Sequence, residues 1–394
     1  MEIRFVSSRD IAAVEQDAEL PAPVARMLDF SGRVLRGRYR LRHRLGVGGM
    51  GAVYEARDQV FEAAVAVKLI HPELARDPEF RRRFLQEARL GVELRHRHCV
   101  AVTDVGETDD GVLFLVMERL EGEALDAVLA ARGPLPWRRV CTIAAQLCDA
   151  LAEAHDRGVV HRDIKPANCF LVRTEGGGDF VKLLDLGLAK LLPAHRGLAR
   201  GPRGQAAKIV GTPEYMSPEQ ALGLAHDHRV DIYALGATMY KLLTGQVPFV
   251  DSSPAMVLRR QVGEAPRPLR ERAPDVPPAL EAVVLRALAK RPDDRYPSAR
   301  ELARAIRGAR ELAEFDLAEI VAEEASVRAP VVRPLETRRA AAGLGVAGVA
   351  LAVAALASLA HALLARREVE PQPERPPPAA SQLAPGTGPV RPAL

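Results

Sequence analysis

The sequence predicts an α+β architecture: a small sheet-rich lobe, then a larger helical lobe, then a single membrane-spanning helix. Three observations predict it. Short β-branched and apolar runs near the start give way to helical periodicity after about residue 135. Residues 230–243 are apolar nearly all round, the pattern of a helix buried in a sizeable core. Residues 340–365 contain no charged side chain and exceed the roughly 20 residues that cross a bilayer.

Residues 1–37 read as a leader whose order the pattern leaves open, charged throughout its first part and without the apolar stretch of a cleavable signal peptide. A folded block is expected from 38 to 307. Within it, residues 45–56 place glycines between extended segments, and 63–70 form an apolar β-branched run. Residues 78–94 read as a helix carrying Glu87. In 135–157 the apolar positions Val140, Ile143, Ala144, Leu147, Leu151 and Ala154 fall on one helical face, with Gly158 as a C-terminal cap. The buried helix at 230–243 ends before Gly245. Residues 298–327 read as helical, and 308–339 as a juxtamembrane helix and linker. Residues 366–394, rich in Pro and Ala, lack periodicity and read as a disordered tail.

Composition narrows the function classes. Hydrophobic residues make up 48% and charged residues 27%, values that suit a soluble catalytic unit with appendages. A net charge of +4 over 394 residues gives no case for nucleic acid. Cys99, Cys141, Cys148 and Cys169 lack zinc spacing, and reduced thiols are expected.

The chemistry concentrates in His161-Arg162-Asp163-Ile164-Lys165-Pro166-Ala167-Asn168, followed by Asp185-Leu186-Gly187. Phosphoryl transfer from a nucleotide needs a base, a cation and oxygen ligands for a divalent ion, and this segment offers all of them. Asp163 is the candidate base, orienting a substrate hydroxyl and accepting its proton. Lys165 would neutralise charge on the moving group. Asn168 and Asp185 present hard oxygen donors for Mg²⁺. Upstream, Gly46-Val47-Gly48-Gly49-Met50-Gly51 leads into Ala52-Val53-Tyr54-Glu55-Ala56, which favours a strand–loop–strand hairpin over the strand–loop–helix of dinucleotide folds. Taken alone, that glycine run is as compatible with a structural turn as with a phosphate loop. Lys68 sits inside an apolar strand, where an ammonium is costly unless paired. A nucleotide phosphate and Glu87 are its expected partners.

In order and spacing these motifs resemble the eukaryotic-like serine/threonine protein kinases of bacteria, over residues 38–307. The resemblance implies the bilobal protein-kinase fold, with a β-rich N-lobe holding one key helix and an α-helical C-lobe. It implies ATP with Mg²⁺, Mn²⁺ being an alternative ion, and transfer of the γ-phosphate to Ser or Thr of proteins, including the chain itself. By the same resemblance, Leu45, Gly46, Val47, Gly48, Gly49, Met50, Gly51, Val53, Ala66, Lys68 and Glu87 would contact the nucleotide. Met117 would be the gatekeeper, and Glu118 and Leu120 would offer hinge backbone to adenine. The segment Gly211-Thr212-Pro213-Glu214-Tyr215 resembles the substrate-docking loop, Asp231 would brace the catalytic loop, and Glu219 would pair with Arg295. Lys165 with Thr212 resembles the serine/threonine class rather than the tyrosine class.

Departures from the family pattern include Leu186 in the Asp-Phe-Gly position and Gly91, four residues after Glu87, which is expected to loosen helix packing. Between positions 187 and 212 there is no Ser, Thr or Tyr, while Lys190, His195, Arg196, Arg200, Arg203 and Lys208 make the loop basic. Loop phosphorylation is therefore not expected to act as the switch unless Thr212 is used. The apolar segment 340–365, bracketed by arginines, is expected to anchor the chain in the inner or plasma membrane, with the catalytic domain cytoplasmic and the short tail outside. The resemblance also allows a homodimer. A membrane-tethered pseudokinase scaffold is the competing function. A small-molecule kinase is disfavoured by the docking-loop residues.

Overall fold

The computed structural model describes residues 30–48, 50–185 and 212–328, with 316–328 as helical backbone alone. Gly49, the basic loop 186–211, residues 1–29 of the leader, and the predicted membrane span and tail lie outside the described residues. Among the described residues no helix is long and apolar enough to cross a membrane.

The small lobe is a six-stranded antiparallel sheet of β1 (Val34–Leu35), β2 (Tyr39–Gly48), β3 (Gly51–Asp58), β4 (Ala63–Ile70), β5 (Val102–Glu107) and β6 (Leu113–Glu118), in the order β1-β2-β3-β4-β6-β5. Strand periodicity sorts its side chains onto two faces. Val53, Ala66, Leu115 and Met117 share one apolar cluster, while Ala52, Tyr54, Val67 and Val116, their immediate neighbours in sequence, share the other. Register puts Lys68 opposite both Val53 and Leu115, so its position in β4 belongs to the first face. Gly48 pairs with Gly51 where the β2–β3 hairpin turns. A Cβ on Gly51 would lie 1.8 Å from the Leu69 carbonyl oxygen, so the close approach of β3 to β4 requires glycine there.

A short helix α1 (Pro72–Ala75) precedes α2 (Pro78–Glu93). The Asp77 side chain accepts from the Glu79 N–H and caps α2. Phe80, Phe84 and Ala88, four residues apart, form its buried stripe and join the inner cluster of the sheet. Gly91 lies on the same helix. An alanine Cβ there would meet Val102 Cγ2 at 3.5 Å, an ordinary contact. The glycine is thus not demanded by space, and Gly91→Ala is expected to stabilise the domain by about 0.5–1 kcal/mol through helix propensity. A urea midpoint that falls in this variant would contradict that reading.

The larger lobe holds α3 (Leu125–Arg132), α4 (Trp137–Asp156), α5 (Pro218–Ala221), α6 (Arg229–Thr244), α7 (Pro254–Gly263), α8 (Pro278–Ala287) and α9 (Ala299–Arg328). All six predicted apolar positions of α4 are buried, and α6 is buried along nearly its whole length. Gly158 and Gly245 take positive φ just past these two helices, as terminating residues do. Three short strands, β7 (Gly122–Ala124), β8 (Cys169–Val172) and β9 (Phe180–Leu183), form a second sheet beside the catalytic segment. All four cysteines are buried free thiols, and burial pushes Cys99 up to about 12 and Cys141 up to about 11.

Candidate active site

The predicted catalytic segment runs from the end of α4 into β8, and a buried carboxylate holds it. Asp231, in the first turn of α6, is fully buried. It accepts from the backbone N–H groups of His161 (2.8 Å) and Arg162 (2.7 Å) and from His155 Nε2 (2.8 Å). Arg162 sits at φ +68°, a conformation that non-glycine residues seldom adopt, and the bond to Asp231 helps hold it there. Asp231 therefore braces the loop, as the resemblance implies. His161 accepts at Nδ1 from the Asp163 N–H (3.2 Å) and donates from Nε2 to the Leu184 carbonyl (2.8 Å). That ring ties the catalytic segment to the strand end that carries Asp185.

Burial alone would push the Asp231 carboxyl up. The bond from His155, the adjacent imidazoles and the Arg162 N–H outweigh it, and the group is held below the ordinary carboxylate range. The folded chain thus keeps Asp231 ionised to lower pH than the unfolded chain does. Its contribution to stability is complete above the ordinary value of about 3.9 and is lost as pH falls through the lower folded value. Below about pH 4, the parent is expected to lose stability more steeply than Asp231→Asn. Identical acid unfolding profiles would remove Asp231 from that account.

Asn168 is 2% exposed. Its Nδ2 donates to the Asp163 carbonyl (2.7 Å) and to Asp163 Oδ2 (3.0 Å). Its Oδ1 is buried with no hydrogen-bond partner among the described residues. A flipped amide would set oxygen against oxygen, so the free acceptor is fixed in direction. Lys165 is buried, lies 3.1 Å from Asp163 Oδ2 and donates to Thr212 Oγ1 at 2.8 Å. Asp163, Lys165, Asn168 and Thr212 are thus one connected group. Lys68, 3% exposed, donates to Asp185 Oδ2 at 2.7 Å. Asp185 supplies an anion beside the ammonium that the sequence did not point to, and Glu87, the expected partner, lines the same small cavity as Gly91, Met117 and Asp185. An anion beside the strand lysine offsets part of the cost of burying it, whichever element supplies it.

Leu45, Met50, Val53, Ala66, Met117 and Leu120 pack in one cluster with Phe170 and Leu184. They give an apolar surface shared by residues of β2–β4, β6 and β8, of the kind that suits a flat heterocycle. Gly46, Val47, Gly48 and Gly51 lie at the β2–β3 turn beside it. The Glu118 N–H donates to the Ala101 carbonyl (2.9 Å), and its carboxylate accepts from the Ala101 N–H (2.7 Å) and Lys182 (2.6 Å). Phe170 and Lys182 were not expected from sequence. The signal for Phe170 was its place two residues after Asn168 at the start of a strand. Lys182 carried no motif.

Asn168 Oδ1 and the Asp185 carboxylate fit a hard divalent ion: both are oxygens, and one is buried and otherwise unused. Among the described residues no group of three or more His, Cys, Asp and Glu side chains could hold a metal.

Residues 39–305 match the family model described as the protein kinase domain. Over 277 residues the chain is 46% identical to the serine/threonine-protein kinase Pkn1 of Myxococcus xanthus, covering 70% of this chain and 39% of that protein. Over 271 residues it is 44% identical to the serine/threonine-protein kinase PknB of Mycolicibacterium smegmatis, covering 68% and 42%. The chain thus spans less than half the length of these relatives. The crystal structure of the Mycobacterium tuberculosis PknI kinase domain is similar to 71% of the chain and 98% of that domain, with a TM-score of 0.57 and 34% identity.

Proposed function

This chain belongs to the protein kinase domain family, and we propose that it transfers the γ-phosphoryl group of ATP to serine and threonine hydroxyls of proteins. The observation that carries this is the convergence of Asp163, Lys165, Asn168 and Thr212 on one side and Lys68 with Asp185 on the other. Asp163 orients the acceptor hydroxyl and takes its proton. Lys165 offsets negative charge on the transferred group. Its bond to Thr212 ties the docking loop to the base, which supports a serine/threonine acceptor. The apolar cluster of Leu45, Val53, Ala66, Met117 and Leu120 receives adenine, and Lys68 meets the phosphates. A magnesium ion held by Asn168 and Asp185 would supply charge neutralisation between phosphates, with Mn²⁺ as an alternative.

The full chain, incubated with labelled ATP, Mg²⁺ and a generic protein substrate, is expected to yield phosphoserine and phosphothreonine but no phosphotyrosine. ATP binding without any transfer would instead favour the pseudokinase scaffold.

Residues 340–365 anchor the chain in a membrane with the catalytic domain on the ATP-containing side, on the strength of their length, lack of charge and flanking arginines. Release of the chain from washed membranes by alkaline carbonate would count against it. The enzyme also does not depend on a phosphorylated loop. No hydroxyl side chain lies between positions 187 and 212, and the Thr212 hydroxyl is already engaged by Lys165. Mass spectrometry that finds an activating phosphate at Thr212 would refute this.

A further inference from the structure

A groove of about 530 Å³ lies in the larger lobe, bounded by the end of α6, the turn after it, and the end of α7 with the segment that follows. Its charge is one-sided. Lys241, Arg260, Arg267 and Arg272 line it against a single carboxylate, Glu264. Arg260 is committed to Asp251 (3.0 Å) and Glu264 (3.5 Å). The other three cations have no carboxylate partner among the described residues: Arg272 donates to the Gln246 amide oxygen, and Lys241 lies 6.0 Å from the Tyr215 ring centroid. Part of the wall is apolar, with Val250 at 61% exposure beside buried Phe249.

The groove is physically joined to the docking loop. Tyr215, which faces Lys241, belongs to that loop. On α7, Gln261 is fully buried and donates from Nε2 to the carbonyls of Pro213 (3.2 Å) and Glu214 (2.8 Å). Its Oε1 accepts from the Tyr233 hydroxyl, and its own carbonyl accepts from Lys290 (2.8 Å). The Nε2 group of this side chain thus holds the loop to the helix that walls the groove, while Oε1 ties the same side chain to α6.

We propose that this groove docks an acidic segment of the protein substrate, carrying at least one apolar side chain, while another part of the same substrate lies on the docking loop. The inference rests on the kinase reading and names the class of substrate. Three cations lacking a carboxylate partner attract carboxylates, the exposed valine and its apolar neighbours take the apolar side chain, and the shared residues place the two sites side by side. Because Arg267 and Arg272 are solvent-exposed, binding weakens as salt is raised.

The test uses the full chain and a fluorescein-labelled peptide of glutamates flanking a leucine, without Ser, Thr or Tyr, beside its glutamine counterpart. Anisotropy is expected to show salt-sensitive binding of the glutamate peptide alone, weakened by about tenfold or more in Arg267→Glu/Arg272→Glu. Both arginines are exposed, and an unchanged unfolding midpoint verifies the fold of the variant. Serine-containing versions of the two peptides then report on catalysis. The glutamate version is expected to have the lower KM, and the variant to lose that advantage with kcat and the KM for ATP unchanged. Equal binding of the two peptides, or full binding by the variant, overturns the proposal. So does binding without a KM advantage, which would leave the groove acid-binding but not a substrate site. Binding needs no transfer: a parent that binds the peptide but phosphorylates nothing would refute the kinase reading separately.

Discussion

Asp163→Asn is expected to lower phosphate transfer by about 10²–10⁴-fold, the range of positioned general-base contributions. The amide keeps the size of the carboxylate and an oxygen for Asn168 Nδ2 and Lys165 to approach, which now lie 3.0 and 3.1 Å from Asp163 Oδ2. What it removes is the ability to accept a proton. Nucleotide affinity should change little, because the Lys68–Asp185 pair and the apolar cluster are separate from that carboxylate. Transfer within tenfold of the parent, measured with labelled ATP on the full chain, would exclude Asp163 as the base. A parallel loss of nucleotide binding would point to collapse of the loop instead.

Arg295→Ala is expected to destabilise the domain by about 3–5 kcal/mol. Arg295 is 1% exposed and forms a bidentate pair with Glu219 at 2.6 and 2.7 Å. It also donates to the carbonyls of Ala289, Arg229 and Lys290, and its guanidinium lies 4.9 Å from the Tyr233 ring centroid. Truncation strands the buried Glu219 carboxylate and three carbonyls at once. Because the penalty comes from an uncompensated charge, replacing both partners with apolar residues of similar volume should recover much of the loss. Urea unfolding of the two single variants and the double variant separates these outcomes. A single-variant loss below about 1 kcal/mol would mean that water reaches the site and the pair is not buried in solution.

The parts of the fold legible in sequence were those with long, clean periods. β4 runs over Ala63–Ile70, where the apolar run was read, and α2 ends one residue before the expected position. α4 and α6 were legible because several turns of a helix repeat one stripe or leave no polar face. β7, β8 and β9 were not anticipated, since strands of three or four residues offer too few positions for an alternation to register. At the site, the contiguous segment 161–168 gave its residues directly, because neighbours in sequence remain neighbours in space. The approach of Asp185 to Lys68 was not legible for the opposite reason: the two residues lie on different elements, and no local pattern decides which carboxylate approaches. Gln261 was invisible, as its four polar partners come from three separate segments.

The Lys68–Asp185 contact has a thermodynamic corollary. One carboxylate serves both the ammonium and the position where a cation would sit. Admitting either the triphosphate or the divalent species by itself leaves an opposite charge stranded, whereas admitting both lets each find a new counterpart. Cooperative uptake of the two is thus expected, and calorimetric titration of nucleotide with and without the cation would display it as a gap in affinity.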